Sequence, residues 1–220
     1  MRSTTNSLLV ILAVVDLLTS ILLIPLPTWT GLPADWRGDL YCKLVYSSVM
    51  MWILVVVSVF TLTMVSVERY LAISYPLKYR LVFSKSRPKV IMVLICLLAT
   101  GVNTFSFFIT FNDYEKGQCI VSWPTPTFQA CFGTAIFFIE YFIPMAIMVA
   151  THVGTIIGLR RHARELSQRN ESRESPAYSM LRTRRRVIEM LLVVVITFVV
   201  CFSPDQIAFL ALNLGIVPPE

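Results

Sequence analysis

The chain has 220 residues, of which 56% are hydrophobic and 15% charged, with a mean hydropathy of +0.71. A water-soluble domain of this size draws on a more charged composition, so that class is excluded. The formal net charge is +6, and its distribution along the chain reads as a topology signal that leaves no need for a nucleic-acid partner.

Five apolar runs are predicted as membrane-spanning helices, since about 20 helical residues cross a hydrocarbon core. The first covers about 7–29 and holds one acid, Asp16. An external loop over 30–42 follows. The second span, about 43–72, has no charged side chain from Leu44 to Val67 and then ends abruptly in Glu68-Arg69-Tyr70. A basic connection over 73–88 leads to the third span, about 89–111, which is uncharged from Val90 to Phe111. A second external loop, 112–127, precedes the fourth span, about 128–159, with Glu140 and Pro144 inside it. The polar, basic segment over 160–183 is expected to be a mobile loop. The fifth span, about 184–213, carries Glu189, Pro204 and Asp205. The fold class is therefore all-α, an integral membrane helical bundle forming a single unit over 1–220.

Cytoplasmic connections keep the Lys and Arg excess. Lys78, Arg80, Lys85, Arg87 and Lys89 lie in one connection and nine further basic residues in Arg160–Arg186, whereas the opposite side keeps only Arg37, Lys43 and Lys116. The amino terminus is thus expected to be cytoplasmic and the carboxyl terminus extracellular, in a multi-pass protein of the plasma membrane. Asn170-Glu171-Ser172 fits a glycosylation acceptor pattern but faces the wrong compartment for it.

Cys96, Cys131 and Cys201 lie inside spans, where free cysteine acts as a small hydrophobe. Cys42 and Cys119 both fall on the external, oxidising side, where a disulfide between them can persist; two unpaired thiols are the alternative. No Cys/His cluster has metal spacing.

An Arg at a span's end needs a partner or water, because charge in hydrocarbon is costly. Glu68 supplies the partner and the interface supplies the water, so an interfacial anchor is the plain reading of the triplet. That reading leaves Pro76-Leu77-Lys78-Tyr79 and the polar residues of the other spans unexplained.

Together the motifs resemble the rhodopsin-like (class A) G-protein-coupled receptors over the whole chain. "NSLLVILAVVDLL" is similar to that family's second helix, "SVERYLAISYPLKYR" to the end of the third and its loop, Phe142-Ile143-Pro144 to the fifth and "FVVCFSP" to the sixth. Each motif alone is weak; their joint order is specific. Cys42 and Cys119 fit the family's disulfide. The chain is then expected to hold five spans of a seven-helix receptor fold, from the loop before the second helix to just past the sixth. The first and seventh helices fall outside it, as in a fragment or an incomplete gene model.

The resemblance implies residue roles. Glu68 holds Arg69 at rest, Arg69 with Tyr70 forms the G-protein switch, and Leu77 enters an apolar pocket of the G protein. Asp16 and Ser58 resemble part of a sodium pocket, the one metal ion implied; a protonated Asp16 bonded within the bundle is the alternative. Val59, Pro144 and Phe198 match the packing trio that couples ligand contact to helix movement, with Phe202 and Pro204 beside it. The prolines can equally be structural kinks.

Several positions depart from the family pattern. Phe202 stands at the toggle tryptophan, His152 at a tyrosine of the fifth helix, Cys96 at a tryptophan of the fourth and Arg184 at a glutamate that braces the switch Arg. Cys42 and Arg69 lie about two residues further apart than usual. Met51 occupies the place where amine receptors carry Asp, which argues against a monoamine and for a peptide ligand.

Glu140 and Asp205 sit about 20 residues above their basic cytoplasmic ends, so both lie roughly 30 Å up, in the outer half. With Met51, Gln206 and Phe209 they are the candidate ligand pocket, suited to a cationic group of a peptide; a proton-sharing bridge between the two acids is the alternative. The expected partners are an extracellular peptide, a heterotrimeric G protein and membrane lipid. A transporter or channel would want polar pore residues or broken helices in matching halves, and a hydrolase would want motifs such as His-Glu-x-x-His. Neither pattern is present in the sequence. A non-signalling five-span scaffold is the remaining rival.

Overall fold

The structure, a computed structural model, describes residues 4–24, 31–77, 79, 87–168 and 176–216. Helices follow the apolar runs. α1 (Thr4–Leu22) buries Leu8, Leu12 and Val15, a stripe at four- and three-residue spacing that marks one helix face. Its hydrogen bonding continues to Ile24, and Pro25 is next in the sequence.

α2 (Trp36–Tyr41) opens on the cap residue Asp35, whose carboxylate accepts from the N–H groups of Arg37 and Gly38. A π-helical turn, Cys42–Tyr46, and a left-handed Ser48 (φ 50°) then lead into α3 (Val49–Ser74). α4 (Arg87–Asn103) and the short α5 (Ser106–Ile109) run into a hairpin. Its strands, β1 (Thr110–Asp113) and β2 (Gln118–Val121), are antiparallel, with Asn112 opposite Cys119.

α6 (Pro126–Phe137) is capped by the Thr125 hydroxyl and passes through a second π turn, Phe138–Phe142, into α7 (Ile143–Gln168). α8 (Pro176–Asn213) contains Pro204. The second π turn has a local cause. Pro144 has no N–H to give to the preceding turn, and Ile143 N–H bonds back five residues to the Phe138 carbonyl.

α3 is the hub. Val56 and Val57 pack with Val15 of α1 and with Ile95 and Ala99 of α4, while Leu62 packs with Leu12, Met148 of α7 and Val195 of α8. Inside a bilayer such packing is held by close van der Waals fit rather than by escape from water. Gly154 makes the α3–α7 approach possible, because a Cβ there would lie 2.5 Å from Tyr70 Cε2. The opposite faces are apolar and exposed, as at Val93, Leu97 and Val153, which is what lipid requires.

Three expectations differ from the observed structure. Four helices among the described residues are long and apolar enough to cross a membrane, Trp36–Ser74, Lys89–Ile109, Pro126–Arg161 and Ile188–Asn213. The first expected span contributes the shorter apolar helix Leu8–Leu22, and residues 25–29 of that expectation lie outside the described residues. The segment over 160–183 is in large part helix, since α7 runs to Gln168 and α8 begins at Pro176. Leu, Arg, Glu and Gln there are good helix formers, and the membrane limits only the apolar part of a helix. The Asn170-Glu171-Ser172 pattern and the side chain of Arg184 lie outside the described residues.

Candidate functional site

The half of the bundle that carries the hairpin encloses a cavity of about 470 Å³. Its walls come from the start of α3 (Tyr46, Ser47, Trp52), the end of α4 and the hairpin (Asn103, Thr110, Val121), the π turn (Glu140) and α8 (Gln206, Phe209, Asn213). Both π turns serve it. An extra residue in a turn rotates the face of the helix that follows, and in Phe138–Phe142 this buries Glu140 and Tyr141 while leaving Phe142 exposed.

Glu140 is 6% exposed and accepts a hydrogen bond from Asn103 Nδ2 at 3.0 Å; the same amide nitrogen also reaches the Ala99 carbonyl at 3.0 Å. Gln206 is 3% exposed, and its Oε1 is buried with no hydrogen-bond partner. Among the described residues the cavity wall holds one acid and no Lys, Arg or His. Glu140, Gln206 and Phe209 are thus brought together as the sequence predicts. Met51 and Asp205 are not: Met51 lines a separate pocket beside Leu22 and Leu44, and Asp205 is exposed. Asp205 and Gln206 are adjacent on one helix and so point about 100° apart, which depth alone does not reveal.

The roof is pinned in place. Cys42 and Cys119 are joined by a disulfide with their Cα atoms 5.4 Å apart. Asn112 Nδ2 donates to the Pro33 carbonyl, Leu32 N–H to the Gly117 carbonyl, and the Tyr114 hydroxyl to Asp39 Oδ2 at 2.8 Å. This bond, broken when the phenol ionises, holds the Tyr114 pKa above its ordinary 10.0. Gly38 has to be glycine, since a Cβ would meet Pro33 O at 2.3 Å and Asn112 Nδ2 at 2.4 Å.

Below the cavity the aromatics form a chain. Trp52 meets Phe202 edge-on at 6.5 Å, and Phe202 stacks on Phe198 at 5.0 Å. Phe198 packs against the Leu12, Leu62, Met148 and Val195 cluster. Phe202, expected at the family's tryptophan position, thus has the indole of Trp52 from α3 against its edge. Val59 and Pro144 are buried. Tyr141 and Ser203 share a hydroxyl–hydroxyl hydrogen bond that ties the second π turn to α8 just before Pro204.

Midway, Ser58 Oγ donates to Asp16 Oδ1 at 2.6 Å. Two oxygens of this kind suit part of the shell of a hard cation; among the described residues no group of three or more His, Cys, Asp or Glu could hold a metal. At the opposite end Glu68 is 1% exposed and accepts the Tyr79 hydroxyl at 3.1 Å. Arg69 is half-buried, and its Nε has no hydrogen-bond partner. Ser66 Oγ and His152 Nε2 lie 3.4 Å apart, one turn before Arg69. Leu77 is 80% exposed.

Trp52, Asn103 and Asn213 were not singled out from the sequence. Asn103 carried a signal, being a buried amide within a run that has no charge at all. Trp52 had none, because one step around α3 separates it from Met51.

Membrane-spanning helices around a polar, walled cavity define an all-α integral membrane bundle of the receptor kind. The family described as "7 transmembrane receptor (rhodopsin family)" matches residues 1–217, and the chain belongs to that family, whose members are receptors rather than enzymes. Neuropeptide Y receptor type 6 of Mus musculus is 26% identical over 219 residues, covering 94% of this chain and 57% of the relative. A QRFP-like peptide receptor of Branchiostoma floridae is 30% identical, covering 93% and 54%. Tachykinin-like peptides receptor 86C of Drosophila melanogaster is 30% identical, covering 96% and 42%. The chain spans about half the length of the curated relatives it matches.

Proposed function

We propose that this chain belongs to a receptor that transmits binding of an extracellular peptide, and not of a monoamine, to a heterotrimeric G protein. The observation that carries the reading is the continuity from the 470 Å³ cavity through Trp52, Phe202 and Phe198 into the core cluster that α3, α7 and α8 share. A ligand can shift the arrangement of these helices only by binding one arrangement better than another, and a cavity walled by α3, α8 and the π turn that leads into α7 offers that leverage. Peptide receptors among the relatives support the ligand class.

Arg69, Tyr70 and the exposed Leu77 would meet the G protein at the basic, cytoplasmic end, with Glu68 restraining Arg69. The excess of Lys and Arg supports a cytoplasmic amino terminus and an extracellular carboxyl terminus, with lipid around the exposed apolar faces. A sodium ion near Asp16 would take its oxygens from that residue and Ser58, completed from elsewhere.

The test is G-protein activation by the full-length protein in cells, against one panel of neuropeptides and one of monoamines. Activation by a peptide, abolished by Arg69→Ala at equal surface expression, is the expected result. Activation by a monoamine alone, or an Arg69→Ala variant as active as the native protein, overturns the reading.

A further inference from the structure

Two buried acceptors face the same cavity with too few donors between them. The Glu140 carboxylate takes one hydrogen bond, from Asn103, and the Gln206 Oε1 takes none although the residue is 97% buried. Gln206 lines the same cavity wall as Glu140. Buried polar groups in native proteins are nearly always paired, so an acceptor without a donor on the wall that also holds Glu140 marks where an N–H of a ligand gains a hydrogen bond. Among the described residues no basic side chain lines the wall, while Trp52 and Trp123 present aromatic surface to the same space, which favours a cation again.

We propose that Glu140 and Gln206 form a two-point acceptor site for one cationic group with at least two N–H donors, the guanidinium or ammonium of a basic residue in the ligand. The proposal rests on reading the cavity as the ligand site. Glu140 supplies the charge. Gln206 supplies the second acceptor and so sets selectivity for a donor-rich head, which a carboxylate alone does not.

The probe is Nα-acetyl-arginine amide, compared with Nα-acetyl-citrulline amide, which has the same shape without the charge. Thermal unfolding of the purified full-length receptor measures binding without any need for signalling. At about ten times its Kd the arginine fragment is expected to raise Tm by about 3 °C, and the citrulline fragment to leave it unchanged. Glu140→Gln and Gln206→Leu are each expected to remove the shift, and Gln206→Glu, which keeps an acceptor oxygen, to retain it. A variant whose unliganded Tm matches the native value shows that the fold is intact, and Gln206→Glu serves if Gln206→Leu falls short of that. An equal shift by the citrulline fragment, no shift with the native receptor, or an undiminished shift in Glu140→Gln overturns the proposal. If the arginine fragment behaves as expected while no peptide activates a G protein, the acceptor site stands and the signalling reading fails.

Discussion

At the residue scale, the external face offers a clean titration. The Tyr114 phenol donates to Asp39, and ionising it would place two negative charges side by side, so the neutral form is favoured in the folded protein. A group whose pKa is raised on folding contributes its stability below the unfolded value, here 10.0, and loses it as the pH rises through the higher folded value. An ultraviolet phenolate titration should place Tyr114 above pH 10.0, and Asp39→Asn should bring it down towards that value. A Tyr114 titration indifferent to Asp39→Asn would mean that the hydrogen bond is absent in solution. Trp52 and Gln206 make a related point. Trp52 meets Phe202 edge-on and Gln206 shares a cavity wall with Glu140, and a sequence does not list neighbours.

At the element scale, the two π turns place Tyr46 and Glu140 on the cavity wall. Cys42 and Arg69 are about two residues further apart than the family pattern has it. The π turn Cys42–Tyr46, closed by Ser47 N–H on the Cys42 carbonyl, takes up one extra residue, and the left-handed Ser48 lets the chain re-enter α3 in register. Deleting Val45 should therefore convert the turn to ordinary α-helix at a cost of about 1–2 kcal/mol, within the range of a tolerated single change. Deleting Val57 rotates half of α3 by about 100° and takes Leu62 and Val65 out of the core. Surface expression and Tm of the two deletions measure the difference, and equal losses would refute the role assigned to the turn.

At the scale of the whole molecule, α3 runs from Trp52 on the cavity wall to Arg69 near its other end, and the resemblance makes the charge that faces Arg69 the expected determinant of the resting state. On the resemblance, Arg184 stands where the family pattern has a glutamate, which puts a positive charge in the sequence at a position expected to hold a negative one. Like charges near a surface repel by roughly 1 kcal/mol or less, enough to raise an active minority several-fold. Basal G-protein signalling of the full-length protein should be high, and should fall about two- to five-fold in Arg184→Glu. Unchanged basal signalling in that variant would remove Arg184 from the switch.

The sequence by itself determined the helical bundle, the order of its spans, the receptor family and the disulfide between Cys42 and Cys119. These depend on run length, on the period of apolar residues and on short motifs, all of which are local along the chain. It also placed Glu140, Gln206 and Phe209 in the outer half, because depth along a helix is a count of residues. Direction around the helix was decided only by the tertiary structure. A π turn of one extra residue swings everything beyond it by a fraction of a turn, and no local pattern marks where that residue is absorbed. For the same reason Glu140 turned inward and Met51 gave up its place on the cavity wall to Trp52, while on α8 the 100° step between neighbours left Asp205 outside and Gln206 on the wall.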